Sequence, residues 1–200
     1  TRFGMLIHDL SDIVKDSSFK VFANTVADGN YVRAIRVPGG ADKYSRKDIS
    51  KYEEYIKRFG AKGLAWVKVT ADGYNGPVAK FLNDQVAQIN EEMDAKEGDL
   101  ILFVAGSFHV VSDSLGYLRR TIAEELDMIK PDQWNYLWVV NWPMFEYDEQ
   151  KKKWDFCHNP FSLPHGGIED YNAKDPSEIL AYQYDFVCNG NEMASGAIRN

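Results

Sequence analysis

The sequence predicts an α+β fold in two unlike halves, and three observations lead there. Residues 182–199 read as a β-hairpin: Tyr182, Tyr184, Phe186 and Cys188 alternate with other residues, and Asn189-Gly190 follows. That dipeptide suits a type I′ turn, which needs positive φ at both central positions. Residues 48–59 place Ile49, Tyr52, Tyr55, Ile56 and Phe59 at helical spacing. From Ser112 onward, short elements punctuated by glycine give way to a longer amphipathic helix and then to strands of large aromatic residues.

Taken in order, Phe3–Ile7 predicts a short strand, followed by a helical turn that Asp9 or Ser11 can cap. Phe19–Phe22 and Tyr31–Val37, broken by Asp28-Gly29-Asn30, predict a hairpin that Pro38-Gly39-Gly40 ends. Ser45 or Asp48 can cap the helix over 48–59, and Gly60 is its natural stop. Leu64–Val69 predicts a strand, Val78–Glu92 a helix, and the strongly apolar Leu100–Ala105 another strand. The resulting order, ββαβαβ, is a compact module with an antiparallel or mixed sheet covered by helices.

Ser114 or Asp113 caps the next expected helix, with Leu115, Leu118, Ile122 and Leu126 inward, and Lys130-Pro131 ends it. Residues 135–148 predict a strand bent or terminated at Pro143, and 154–156 a return strand. Residues 157–167 form a loop fixed by Pro160 and Pro164, and Asp175 caps a short helix over 179–183 that feeds the hairpin.

Composition bounds the function. The 200 residues are 44% hydrophobic and 14% aromatic, enough for the core of one large or two small domains. A net charge of −7 excludes an overall basic footprint, so a nucleic-acid partner would need a local patch. The nearest candidate is the group Arg36, Lys43, Arg46, Lys47, Lys51, Lys57, Arg58 and Lys62, with a solvated helix face as the plainer reading. The two cysteines, Cys157 and Cys188, make no CxxC, which excludes a zinc knuckle or disulfide framework and fits a reducing cytoplasm. No apolar run approaches the roughly 18–20 residues needed to span a bilayer, and no GxGxxG follows a strand. The chain opens on Thr rather than Met, and the expectation is a piece excised from a longer protein.

The hairpin carries the chemistry. With Asn189-Gly190 as the turn, Cys188 faces Asn191 and Val187 faces Glu192. Alternation puts Asp185 on the face of Val187, and so of Glu192. The two carboxylates are then diagonal neighbours, roughly 7–8 Å apart at the backbone. Like charges that close call for a cation, and a magnesium ion carrying a nucleotide phosphate would suit. Arg199 has the wrong parity for that face unless the pairing slips near Ser195-Gly196, where a bulge would re-aim it. The alternative is a solvated hairpin with ordinary surface charges.

Eight segments occur in a distinctive order: RFGM at 2–5, FKVF at 19–22, AIRVPGG at 34–40, SRKDI at 45–49, GAKGLAWVKV at 60–69, WVVNWPMFEYDE at 138–149, HNPFSLP at 158–164 and NGNEMASGAIR at 189–199. Along essentially its whole length the chain resembles the bacterial-type aspartyl-tRNA synthetases. The resemblance implies a GAD insertion domain over 19–112, found also in B-type subunits of tRNA-dependent amidotransferases, preceded by a catalytic-domain edge segment over 1–18. It implies part of a class II catalytic domain, an antiparallel sheet flanked by helices, over 113–200.

The reaction implied joins L-aspartate and ATP as aspartyl-adenylate and passes the aspartyl group to tRNA, in a cytoplasmic enzyme that is homodimeric and has no membrane partner. Positioning and charge neutralisation would carry it, with no residue acting as acid or base. By motif match, His158 and Arg199 would bind L-aspartate, Glu192 would bind ATP, and Asp185 with Glu192 would hold Mg2+. The sequence departs from the family pattern at Asn159, where a second histidine is common, at Ala194-Ser195-Gly196-Ala197 for Gly-Gly-Gly-Ser, and at Asn141 for Asp. The dimer strand and the two arginines of class II motifs 2 and 3 are not found, so the piece alone is expected to be inactive. The alternative reading is a non-catalytic module contacting tRNA or another protein.

Overall fold

The structure, a computed structural model, describes residues 3–148 and 151–199. Arg2 and Glu149, which belong to two of the segments above, lie outside the described residues. The chain divides into two compact units, one of residues 3–130 and one built on residues 131–199. The fold is α+β, with antiparallel pairing in every ladder.

In the first unit, β1 (Ile7–Asp9), β2 (Tyr31–Val37), β3 (Ala65–Thr70), β4 (Gly73–Asn75) and β5 (Leu100–Gly106) form one sheet in the order β1-β2-β5-β3-β4. β5 is the central strand and explains its own composition. Leu100, Leu102 and Val104 pack to one side, and Ile101 and Phe103 to the other, so both faces are covered and the run is continuously apolar. Two helices supply the first cover, α4 (Arg46–Ile56) and α6 (Phe108–Glu125). α1 (Ser11–Val14), α2 (Lys20–Ala27) and α5 (Val86–Met93) lie on the second, and α3 (Gly40–Lys43) is a single turn after β2.

Several expectations are met in detail. Ser45 and Asp48 form a capping box: Ser45 Oγ accepts from the Asp48 amide at 3.3 Å, and Asp48 Oδ2 accepts from the Ser45 amide at 3.2 Å. Asp9 holds the entry to α1 by accepting from the Ser11 amide and hydroxyl at 3.0 and 2.6 Å. Gly60, at φ 87°, stops the 3₁₀ turn that ends α4.

Others are corrected. Residues 19–22 are not a hairpin strand; they open α2, because Phe19, Phe22 and Val26 recur at helical spacing over the core while Val21 is exposed. Gly29, at φ 76°, serves the end of that helix instead of a hairpin turn. The strand expected over 3–7 is confined to β1, after Gly4 at φ 63°. The helix expected over 78–92 is two 3₁₀ turns, Ala79–Phe81 and Asn83–Gln85, before α5, with Asn83-Asp84 offering the backbone alternatives to the α-helix. α6 begins at Phe108, not at Ser114, since Val111 extends the buried stripe of Leu115, Leu118 and Ile122 back by a turn. It runs unbroken across residue 112, and β1 pairs with β2.

The second unit holds a three-stranded sheet, β10-β9-β6, and a two-stranded one. Its strands are β6 (Tyr136–Pro143), β7 (Phe145–Asp148), β8 (Lys153–Phe156), β9 (Leu180–Cys188) and β10 (Asn191–Ala197). Met144, Ile179 and Ala181 make a small core with Phe145 and Tyr171. β6 ends at Pro143, as expected. α7 (Gly167–Ala173) was not foreseen. The helix expected over 179–183 is the start of β9, preceded by a 3₁₀ turn that Asp175 caps by accepting from the Ser177 amide at 2.9 Å. Tyr182 and Tyr184 alternate with buried Ala181 and Gln183, a period of two.

Candidate functional site

The site is built on β9. Asn189 and Gly190, at φ 51° and 83°, make the expected turn, and the pairs Cys188–Asn191 and Val187–Glu192 follow. Directly paired residues share a face, so Leu137, Val139, Gln183, Asp185, Val187, Glu192, Ser195 and Ala197 lie together. Tyr136, Trp138, Val140, Tyr184 and Phe186 make the opposite, aromatic face, where Tyr136 stacks on Phe186 at 5.5 Å.

The slip needed to re-aim Arg199 is present, but earlier than expected. The register shifts between Glu192 and Ala194, which leaves Met193 as the extra residue, and Ser195 then faces Asp185. The pairing continues through Ile198, whose amide donates to the Tyr182 carbonyl at 2.9 Å. Arg199 therefore follows Ser195 and Ala197 onto the face of Asp185 and Glu192. Near Ser195-Gly196 the strand stays regular. The role of Gly196 is different: a Cβ there would fall 2.7 Å from the Tyr184 ring, which lies across it.

The β6 pairing also shifts, between Val140 and Trp142, but here the extra residue is on β9: Asn141, at φ 59°, faces both Tyr182 and Gln183. This accounts for Asn141, because Asn and Asp tolerate the left-handed region better than other side chains. The shift pairs Trp142 with Ala181. His158 sits edge-on to Trp142, 4.5 Å between ring centres. The indole nitrogen of Trp142 is buried without a hydrogen-bond partner.

The loop after His158 is fastened to β9 and to the end of β10. Leu163 accepts from the Tyr182 amide at 2.9 Å and donates its own amide to Ile198 at 2.7 Å. Ser162 pairs with Arg199 as an isolated bridge, and the Arg199 guanidinium lies over the Phe161 ring at 4.6 Å. His158, Glu192 and Arg199 are exposed and Asp185 is half-buried, so each can meet a ligand. Among the described residues no three His, Cys, Asp or Glu side chains group as a metal site. Sequence reasoning missed Gln183 and Trp142, which stand between the named residues; the only signal for Gln183 was a polar residue inside an otherwise aromatic strand.

In the first unit the expected basic patch is partly neutralised. Arg36 meets Asp99 at 3.4 Å, Lys51 meets Asp48 at 3.0 Å and Lys57 meets Glu54 at 2.5 Å. Arg46, Lys47, Arg58 and Lys62 are exposed, with Arg46 over Trp66 and Arg58 over Tyr55.

An α+β module followed by an antiparallel hairpin bearing paired carboxylates and an arginine is the class that fold and site define. Within it, residues 22–115 match the GAD domain family. The whole chain is similar to aspartate–tRNA ligases: 83% identical over 201 aligned positions to that of Limosilactobacillus reuteri and 66% to that of Limosilactobacillus fermentum, covering 100% of this chain in each case. It is 47% identical to an aspartate–tRNA(Asp/Asn) ligase of Anoxybacillus flavithermus. The chain spans about a third, 34%, of the length of these relatives. The resemblance read from the eight segments is borne out.

Proposed function

We propose that this chain is part of an aspartate–tRNA ligase that activates L-aspartate with ATP to aspartyl-adenylate and transfers it to tRNA. The observation that carries the reading is identity of 83% to a named aspartate–tRNA ligase over the entire chain. The placement of Asp185 and Glu192 on one face of β9 and β10, with Arg199 two residues beyond Ala197 on the same alternation, supports the roles assigned to them. In this reading Arg199 forks onto the substrate side-chain carboxylate, with Phe161 supporting the guanidinium from behind. His158 contacts aspartate from the loop, its ring held by Trp142. Glu192 serves ATP.

The donor set fits Mg2+, which usually binds through one or two carboxylates plus substrate phosphate oxygens. Asp185 and Glu192 would hold it, and the bound ion would neutralise phosphate charge. The segments assigned to the catalytic domain extend over 113–200, with the insertion domain over 19–112. A homodimeric parent in the cytoplasm completes the reading, and no described helix is long and apolar enough to cross a membrane.

The 200-residue chain alone should not form adenylate. ATP–pyrophosphate exchange tests both statements: a full-length ligase carrying this segment should exchange with L-aspartate, and the chain should not. Exchange by the chain alone would overturn the second statement, and an aspartate-independent full-length protein the first.

A second reading concerns the first unit. The GAD match, the exposed Arg46 and Lys47, and a groove of about 820 Å³ lined by Phe19, Phe22, Leu64 and Phe103 favour a module that contacts tRNA or another protein. Salt-dependent retention of tRNA by the chain, weakened in an Arg46→Ala, Lys47→Ala variant, would support it.

A further inference from the structure

Gln183 is the one buried amide side chain among the described residues of the second unit's sheets, and its hydrogen bonds run across the site. Its Nε2 donates to Ser162 Oγ at 2.7 Å and lies 3.4 Å from the Asn159 carbonyl oxygen. A carbonyl oxygen can only accept, so the amide must present its nitrogen to the loop. The Asn159 carbonyl also accepts from the Ser162 amide at 3.2 Å, closing the turn Asn159–Ser162. Gln183 thus pins this turn at both ends.

The turn lies between the two groups assigned to aspartate. His158 precedes it by one residue. At its other end Ser162, fully buried, pairs with Arg199, and Phe161 underlies the guanidinium. Gln183 is buried and its Nε2 is spent on the loop. What it fixes is the separation of two flexible contacts made from different segments. A ligand bound by both senses that separation directly, since misplacement of positioned groups by an ångström is costly.

We infer that Gln183 is a positioning residue for aspartate: its hydrogen bonds to the turn Asn159–Ser162 set the spacing between His158 and Arg199, and so tune aspartate binding without affecting ATP. The inference rests on the proposed assignment of those two residues to L-aspartate.

The test is ATP–pyrophosphate exchange in a full-length ligase carrying this segment, with Gln183→Met, which keeps length and burial but not the donor. Loss of a buried hydrogen bond predicts a rise of about 5- to 30-fold in the aspartate KM. The ATP KM should stay within about twofold of wild type on the same argument. Ser162→Ala should give the same split and Ser162→Thr, which restores a hydroxyl, should largely recover it. The double variant Gln183→Met, Ser162→Ala should be no worse than the poorer single one.

Arg199→Lys is the reference. If it raises the aspartate KM and Gln183→Met only lowers the melting temperature or kcat, the inference is overturned and the site assignment stands. If Arg199→Lys also leaves the aspartate KM unmoved, the assignment itself fails and the inference with it. Should Gln183→Met not fold, Ser162→Ala carries the same decision from the other partner.

Discussion

Replacing Arg199 with lysine keeps the charge and removes the fork. The guanidinium is exposed at its tip and backed by the Phe161 ring at 4.6 Å, so its plane is held for two parallel hydrogen bonds to one carboxylate. An ammonium reaches the same place with a single point contact. Losing one charge-assisted hydrogen bond costs about 1.5–3 kcal/mol. The contact with Phe161, worth about 0.5–1 kcal/mol at an exposed site, is partly kept by lysine. The aspartate KM should therefore rise by about 10- to 150-fold, with the ATP KM nearly unchanged. The assay is ATP–pyrophosphate exchange at varied aspartate in a full-length ligase carrying this segment. An aspartate KM equal to wild type would refute the reasoning, because no arrangement in which Arg199 grips the substrate side chain tolerates that loss.

Deleting Met193 removes the bulge, so Arg199 should turn to the face of Tyr184 and the aspartate KM should rise at least as far as in Arg199→Lys while circular dichroism still reports a folded sheet. Gly40→Ala should destabilise by about 1–3 kcal/mol in denaturant titration, because the new Cβ would lie 2.8 Å from Val37 Cγ1 and 2.9 Å from Leu100 Cβ in the core. Gly39→Ala meets open space but a φ of 62°; it should cost about 1 kcal/mol, and Asn should be tolerated at 39 and not at 40. Ser45→Ala should cost about 1 kcal/mol by calorimetry through loss of the α4 cap. Its hydroxyl, with Lys51 second, holds the Asp48 carboxyl at about 2. A folded pKa below the unfolded one means that this contribution is present above pH 3.8 and fades as pH falls toward about 2, so the variant should show a flatter acid limb in that window.

The sequence read well where one local signal fixes one outcome. Asn189-Gly190 specifies its turn, Ser45 and Asp48 specify a cap, and Leu100–Ala105 is too apolar to be anything but an interior strand. It read poorly where two periods fit the same residues. Phe19, Val21 and Phe22 satisfy alternation or a helical stripe equally, and only the place of Phe22 beside Phe103 in the core decides for the helix. Ile179–Gln183 fails in the opposite direction, since a run of helix formers is claimed by pairing with β6 and by the loop at Leu163. The site residues were named from the hairpin and the motif, but their supports were not, because Gln183 and Trp142 matter through contacts made with segments distant in sequence.

The two slips flanking β9 differ in kind. On the β10 side the extra residue is Met193; on the β6 side two steps along β6, from Val140 to Trp142, match three along β9, from Tyr184 to Ala181, so the extra residue is on β9 and Asn141, at φ 59°, is the single β6 residue that faces it. The β10 slip is the one that bears on Arg199. Seven positions after Glu192, Arg199 would alternate onto the opposite face of a regular strand, and one inserted residue restores it, while the aromatic face keeps Tyr136, Trp138 and Phe186 in contact. Strand alternation alone cannot put Glu192 and Arg199 on one face, which is why a hairpin that looks ordinary by composition carries an irregularity between its carboxylate and its arginine.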